Sequence, residues 1–171
     1  MSRAQEMRAA FDRSFAEPPL TEQAPLQDFL AIRVGTDPYA IRLTDIRGLF
    51  ADRPVTLLPS DDSAFLGIAG VRGIVVPVYD LGALLGHPPG ALRRWLLLIG
   101  AASLALAFEA FEGHLRLPQA ALAAQGRQER SGAFVQEVLH TGNSTRAIVQ
   151  ITAIFDAIEQ GARQRSHHQE S

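Results

Sequence analysis

The sequence predicts a mainly β fold assembled from small barrels, and three observations carry that prediction. Short apolar runs of strand length recur along the chain, separated by clusters of Gly, Pro, Asp, Asn and Ser. No apolar helical pattern is long enough to act as the crossover of a parallel α/β sheet. The longest apolar stretch, Trp95 to Phe108, is broken at its centre by Gly100-Ala101-Ala102-Ser103, which divides it into two buried strands joined by a turn.

Residues 1–28 form an N-terminal extension. Ala4 to Ala16 can make a short helix with Met7, Phe11 and Phe15 on one face, or remain a disordered leader. Pro18, Pro19 and Pro25 stop any regular structure there. From Phe29 the pattern alternates with period two, turns at Gly35-Thr36-Asp37-Pro38 and resumes from Tyr39 to Leu43, which is a hairpin signal. Thr44 reads as an N-cap for a short helix or a helical turn over Asp45 to Phe50. Val55 to Leu58 and Phe65 to Ala69 read as strands on either side of a polar loop. Gly70-Val71-Arg72-Gly73 is a turn, and Ile74 to Tyr79 a β-branched strand. Asp80 can cap a helix from Leu81 to Leu85, ended by Gly86 and by Pro88-Pro89.

In the second half, Trp95 to Ile99 and Leu104 to Phe108 form a hairpin, Phe111 to Leu117 is less regular, and residues 119–132 read as an irregular connection. Phe134 to His140 and Arg146 to Ile151 flank a turn at Thr141-Gly142-Asn143-Ser144, and Thr152 introduces a helix from Ala153 to Gln160. The organisation is therefore an extension (1–28), one folded domain (29–160) and a loose tail (161–171). A weak internal rhyme is present: a strand runs into a capping residue and a short apolar helix at Thr44, Asp80 and Thr152.

Composition removes several classes of chemistry. All 16 basic residues are Arg, which excludes a Schiff-base lysine and a phosphate-loop lysine. The chain has 0 Cys, which excludes disulfides and thiolate chemistry. A formal net charge of −2 gives no broad attraction to nucleic acid. Met1 to Phe15 lacks a signal-peptide core and Trp95 to Phe108 is too short to span a bilayer, so a cytoplasmic protein with no direct membrane insertion is expected.

Nothing in the sequence calls for a cofactor or a metal. Gly67, Gly70 and Gly73 precede a strand, whereas phosphate-binding loops precede a helix. His87, His114 and His140 are scattered, and the adjacent His167 and His168 have no third ligand placed by spacing. A small hydrolase using Asp80, Glu109 and His114 is the alternative from a different functional class, though no recognised constellation supports it. Arg72 stands out: it lies between two glycines and two apolar segments, where a guanidinium fork can meet a partner's carboxylate or carbonyl. An ordinary exposed turn arginine is the competing reading.

The stretch Leu58-Pro59, Phe65 to Leu81 (FLGIAGVRGIVVPVYDL) and Leu84-Leu85-Gly86 resembles the CheW family of chemotaxis coupling proteins, as does the opening Phe29 to Gly35 with Tyr39-Ala40-Ile41. The likeness spans about residues 28–160, and its motifs are specific over 58–86. It implies two intertwined five-stranded SH3-like barrels around a shared core, with no enzymatic activity. The implied role is an adaptor that joins a chemoreceptor cytoplasmic tip to the regulatory domain of a CheA-type histidine kinase, itself of the same fold. A chemosensory system with another output, such as surface motility or development, is the variant within this class. Arg72 matches the family arginine implicated in partner binding, which puts Gly70, Val71 and Gly73 in the same candidate site. The chain departs from the family pattern at Gly70-Val71, where Asn-Leu is usual, at Phe108-Glu109 and at Gln150-Ile151-Thr152.

Overall fold

The computed structural model describes residues 24–90, 92–100, 104–124 and 132–168; the expected helix at Ala4 to Ala16 lies outside them. The strands are β1 (Leu26–Val34), β2 (Asp37–Arg42), β3 (Ile46–Ala51), β4 (Val55–Leu57), β5 (Phe65–Val71) and β6 (Ile74–Asp80), then β7 (Trp95–Ile99), β8 (Leu104–Phe108), β9 (Ala110–Pro118), β10 (Leu122–Ala124), β11 (Val135–Thr141) and β12 (Ser144–Val149). Helix α1 is Leu81–Leu84, helix α2 is Ile151–His168, and 3₁₀ turns occupy Leu43–Asp45 and Gln119–Ala121.

The strands form two six-stranded sheets, ordered β10-β11-β12-β2-β1-β9 and β3-β7-β8-β6-β5-β4. Exchanging β1–β6 with β7–β12, in order, turns one sheet order into the other read backwards. The chain is thus a structural duplication in which each half lends its first two strands to the other half's sheet. The same exchange relates the two parallel pairings, β2 with β12 and β6 with β8. This is the intertwining expected from the sequence. Each sheet reaches six strands, where five were expected, with the 3-residue strands β4 and β10 included.

Three apolar clusters follow from this arrangement. The second sheet encloses Ala69, Val71, Val76, Val78, Leu96, Leu98, Ala105 and Ala107. The first sheet encloses a smaller cluster with Phe29, Ala40, Leu139 and Ile148. The largest cluster lies between the sheets and includes Leu30, Ile32, Val34, Leu81, Leu97, Ile99, Leu106, Phe108 and Ile154. Successive side chains of a strand point to opposite faces. On β7, Leu96 and Leu98 therefore serve one cluster while Leu97 and Ile99 serve another, and every residue from Leu104 to Phe108 is buried. That two-sided burial explains the unbroken apolar runs, which a half-exposed strand would not carry.

Four segments differ from expectation. Asp45 to Phe50 is not helical: a 3₁₀ turn ends at Asp45, and Ile46–Ala51 pairs with β7. Thr44 caps nothing; the edge of an apolar strand offers this segment more than one helical turn does. Ala110–Pro118 is a continuous strand that pairs along its length with β1, and the irregularity expected there is confined to one register shift opposite Ala31 and Ile32. Part of the expected irregular connection is ordered as the second 3₁₀ turn and β10, which pairs with β11. Helix α2 continues past Gln160 to His168, so its last turns occupy much of the expected loose tail. Its first turns bury Ile151, Ile154 and Ile158, and Arg165 then donates to Asp62 Oδ2 at 3.1 Å.

Leu106 is 0% exposed in the cluster between the sheets. Leu106→Ala is expected to lower stability by about 2–5 kcal/mol and to do so in one transition, as read by a denaturant melt followed by both tryptophan fluorescence and circular dichroism.

Candidate functional site

The β5–β6 hairpin closes at Val71, which pairs with Ile74 and leaves a two-residue loop. Both loop residues have positive φ, 50° at Arg72 and 79° at Gly73. That is the sign pattern of a type I′ turn, whose twist matches the flanking strands. Glycine takes it freely; an arginine there is strained by roughly 1–2 kcal/mol. The Arg72 guanidinium lies over the Phe50 ring, 5.3 Å from its centroid. The ring in turn lies over Gly48, where an added Cβ would meet Phe50 Cε2 at 2.7 Å. A strained exposed arginine supported on a ring is a reason to assign function to it.

The four candidate residues do not share one role. Gly70 is an exposed strand residue whose added Cβ would meet nothing within 4 Å, so it does not shape the turn as the sequence reading supposed. Val71 is 1% exposed and anchors the hairpin in the second sheet's interior. Arg72 and Gly73 form the turn itself. Gly67, three residues upstream of Gly70, is required for another reason: a Cβ there would lie 1.9 Å from the Thr56 carbonyl oxygen of β4. Exposed Ile74 and Val75 flank the turn, at 44% and 68%.

Phe50, Gly48 and Arg53 were not singled out from sequence. Arg53 also lies over Phe50, 5.6 Å from its centroid. The signal of Gly48 and Phe50 was hidden by the expectation of a helix over Asp45 to Phe50, which would have directed these side chains differently; Arg53 lies beyond that segment.

A second, polar cleft of about 370 Å³ lies among the β1–β2 turn, α1 and the segment that follows it, lined by Asp80, His87, Arg93 and Glu109. Its polar groups are committed to structure. Asp80, a buried N-cap as expected, accepts from the Gly82 N–H at 2.9 Å and pairs with Arg93. Glu109 accepts from the Gly35 N–H at 3.0 Å, and His87 shares a hydrogen bond with the Tyr39 hydroxyl at 2.8 Å. His114 does not line this cleft; it lies on β9, 2.8 Å from Asp28. The Asp80, Glu109 and His114 constellation of a hydrolase is therefore not assembled. Among the described residues, no group of three or more His, Asp or Glu could hold a metal ion, and no helix is long and apolar enough to cross a membrane.

Glu112 on β9 accepts from Arg33 of β1 at 2.7 Å and pairs with Arg146 of β12 at 2.6 Å. Burial pushes its carboxyl up, but hydrogen bonds from Arg146 and then Arg33 outweigh that and hold it below the ordinary carboxylate value.

The chain belongs to the CheW-like domain family, whose model matches residues 28–159. It is 30% identical over 63 residues to a probable chemotaxis protein CheW of Rhizobium etli, covering 37% of this chain and 41% of that one. It is also 30% identical over 60 residues to the chemotaxis protein CheW of Rhizobium meliloti, covering 35% and 39%. The matched region thus spans about two-fifths of these relatives. The crystal structure of the scaffolding protein TtCheW from Thermoanaerobacter tengcongensis superposes with a TM-score of 0.66 at 16% identity, covering 73% of this chain and 89% of that one. At that identity the likeness establishes the fold.

Two predictions follow from this geometry. Gly73→Val should lower the melting temperature through strain of about 1–2 kcal/mol at positive φ, whereas Gly70→Ala should stay within about 0.5 kcal/mol of the parent. Glu112→Gln should destabilise the protein near neutrality. Because the folded carboxyl sits below its unfolded value, its contribution is present above the unfolded value and is lost as pH falls through the folded one. Melts of parent and variant should therefore converge on acidification.

Proposed function

We propose that this protein is a cytoplasmic, non-catalytic adaptor that couples a chemoreceptor cytoplasmic tip to the regulatory domain of a CheA-type histidine kinase. Family membership supports this reading, as do the chemotaxis names of the relatives. The observation that carries the site is Arg72: a strained, exposed guanidinium, presented by a two-residue turn whose neighbour Val71 is buried. The flanking strand is fixed by the interior, so the arginine meets a partner from a preset backbone, which reduces the ordering cost of binding. Gly70 and Gly73 leave room around it, and exposed Ile74 and Val75 offer apolar contact beside it.

The test is a titration of the full chain with a receptor cytoplasmic fragment and with the kinase regulatory domain of the same organism. Arg72→Ala should weaken at least one association by about 2 kcal/mol, the scale of an interface arginine, and leave the thermal transition within about 0.5 kcal/mol of the parent. Unchanged affinity for both partners would remove Arg72 from the interface. Failure of the parent to bind either partner would overturn the adaptor reading.

A further inference from the structure

We propose that Arg53, Arg72 and Phe50 form one anion-binding clamp that takes an acidic segment of a protein partner. This rests on the reading of Arg72 as a partner-binding residue and extends it to a second cation and a stated ligand chemistry.

Of the arginines near this part of the second sheet, Arg93 pairs with Asp80 and Arg94 makes a forked pair with Asp52 at 3.0 and 3.2 Å. Arg53 and Arg72 have no carboxylate within 4.0 Å among the described residues. Both instead lie at the same ring, 5.6 and 5.3 Å from the Phe50 centroid. An aromatic quadrupole attracts a cation but has no net charge, so two positive charges remain uncompensated there. Their guanidinium forks keep N–H donors that match a carboxylate in geometry.

Both cations also start from fixed backbones. Arg72 comes from the two-residue turn. Arg53 follows Asp52, which takes a φ of 54°, donates its N–H to the Arg94 carbonyl at 2.8 Å and holds the Arg94 guanidinium with its carboxylate. Asp tolerates this left-handed conformation better than most residues. Two guanidiniums held at one ring present their N–H donors to the same region, so a segment with two neighbouring carboxylates can pair with both. Exposed Ile74, next to the turn, offers apolar contact beside the pair.

The experiment titrates the full chain with the receptor cytoplasmic fragment and, separately, with the kinase regulatory domain. Each titration is run at low and at physiological ionic strength, where the Debye length falls from about 30 Å to about 8 Å. Arg53→Gln, Arg72→Gln and Phe50→Leu are compared with the parent, with a melt of each to show that it folds. The clamp requires Arg53→Gln to weaken binding of one partner about five- to ten-fold at low salt, and to flatten that partner's salt dependence. It also requires Arg72→Gln to act on the same partner. Arg53→Gln binding both partners like the parent, with Arg72→Gln still defective, would overturn the clamp and leave the Arg72 assignment standing. Both arginine variants binding both partners like the parent at either ionic strength would overturn the clamp and the assignment of Arg72 together.

Discussion

Strands β7 and β8 have no solvent face, and the rest of the molecule is arranged around that fact. Leu96 to Ile99 and Leu104 to Phe108 are all buried, with alternate side chains serving the interior of one sheet and the space between the two. Strand β1 does the same from the other sheet, with Phe29 on one side and Leu30, Ile32 and Val34 on the other. A strand buried twice needs a cover on each face. Lending the first two strands of each half to the other half's sheet places such strands next to the space between the sheets. The largest apolar cluster then belongs to neither sheet alone. Helices α1 and α2 complete the cover with Leu81, Ile151, Ile154 and Ile158.

The candidate site inherits its rigidity from this interior. Val71 and Val76 point inward on either side of the β5–β6 turn, and their burial holds the hairpin register that forces Arg72 and Gly73 to positive φ. Strand β3 pairs with the doubly buried β7 and packs the partly buried Phe50 against the second sheet's interior, where its ring meets the Arg72 guanidinium. An exposed charge is thereby placed by packing. A binding protein benefits from this, because its partner does not have to order the group it recognises.

Much of the architecture was legible in the sequence. The small-residue break at Gly100 to Ser103, the Gly35-Thr36 turn and the paired apolar runs identified hairpins. The stretch from Phe65 to Leu81 carried enough family motif to imply two intertwined barrels. Asp80 could be recognised as a cap because a helix cap is local chemistry. What was not legible depended on distant pairing. Thr44-Asp45-Ile46 looks like a helix start, yet β7 recruits the following residues as a strand. Ala110 to Pro118 has little pattern of its own and is ordered by β1. Gly67, Gly70 and Gly73 look alike in sequence, but one admits a neighbouring strand, one is unconstrained and one holds a turn. Phe50 and Arg53 joined Arg72 only once β3 was seen to be a strand.

The space between the sheets makes both a single cooperative unit. Native-state hydrogen exchange at low denaturant tests it most directly, because amides that open together share one free energy and one denaturant slope. The slowest amides of β1, β7, β8 and β12 should converge on a single global opening. Two separate openings, one for each sheet, with different free energies and slopes, would contradict it.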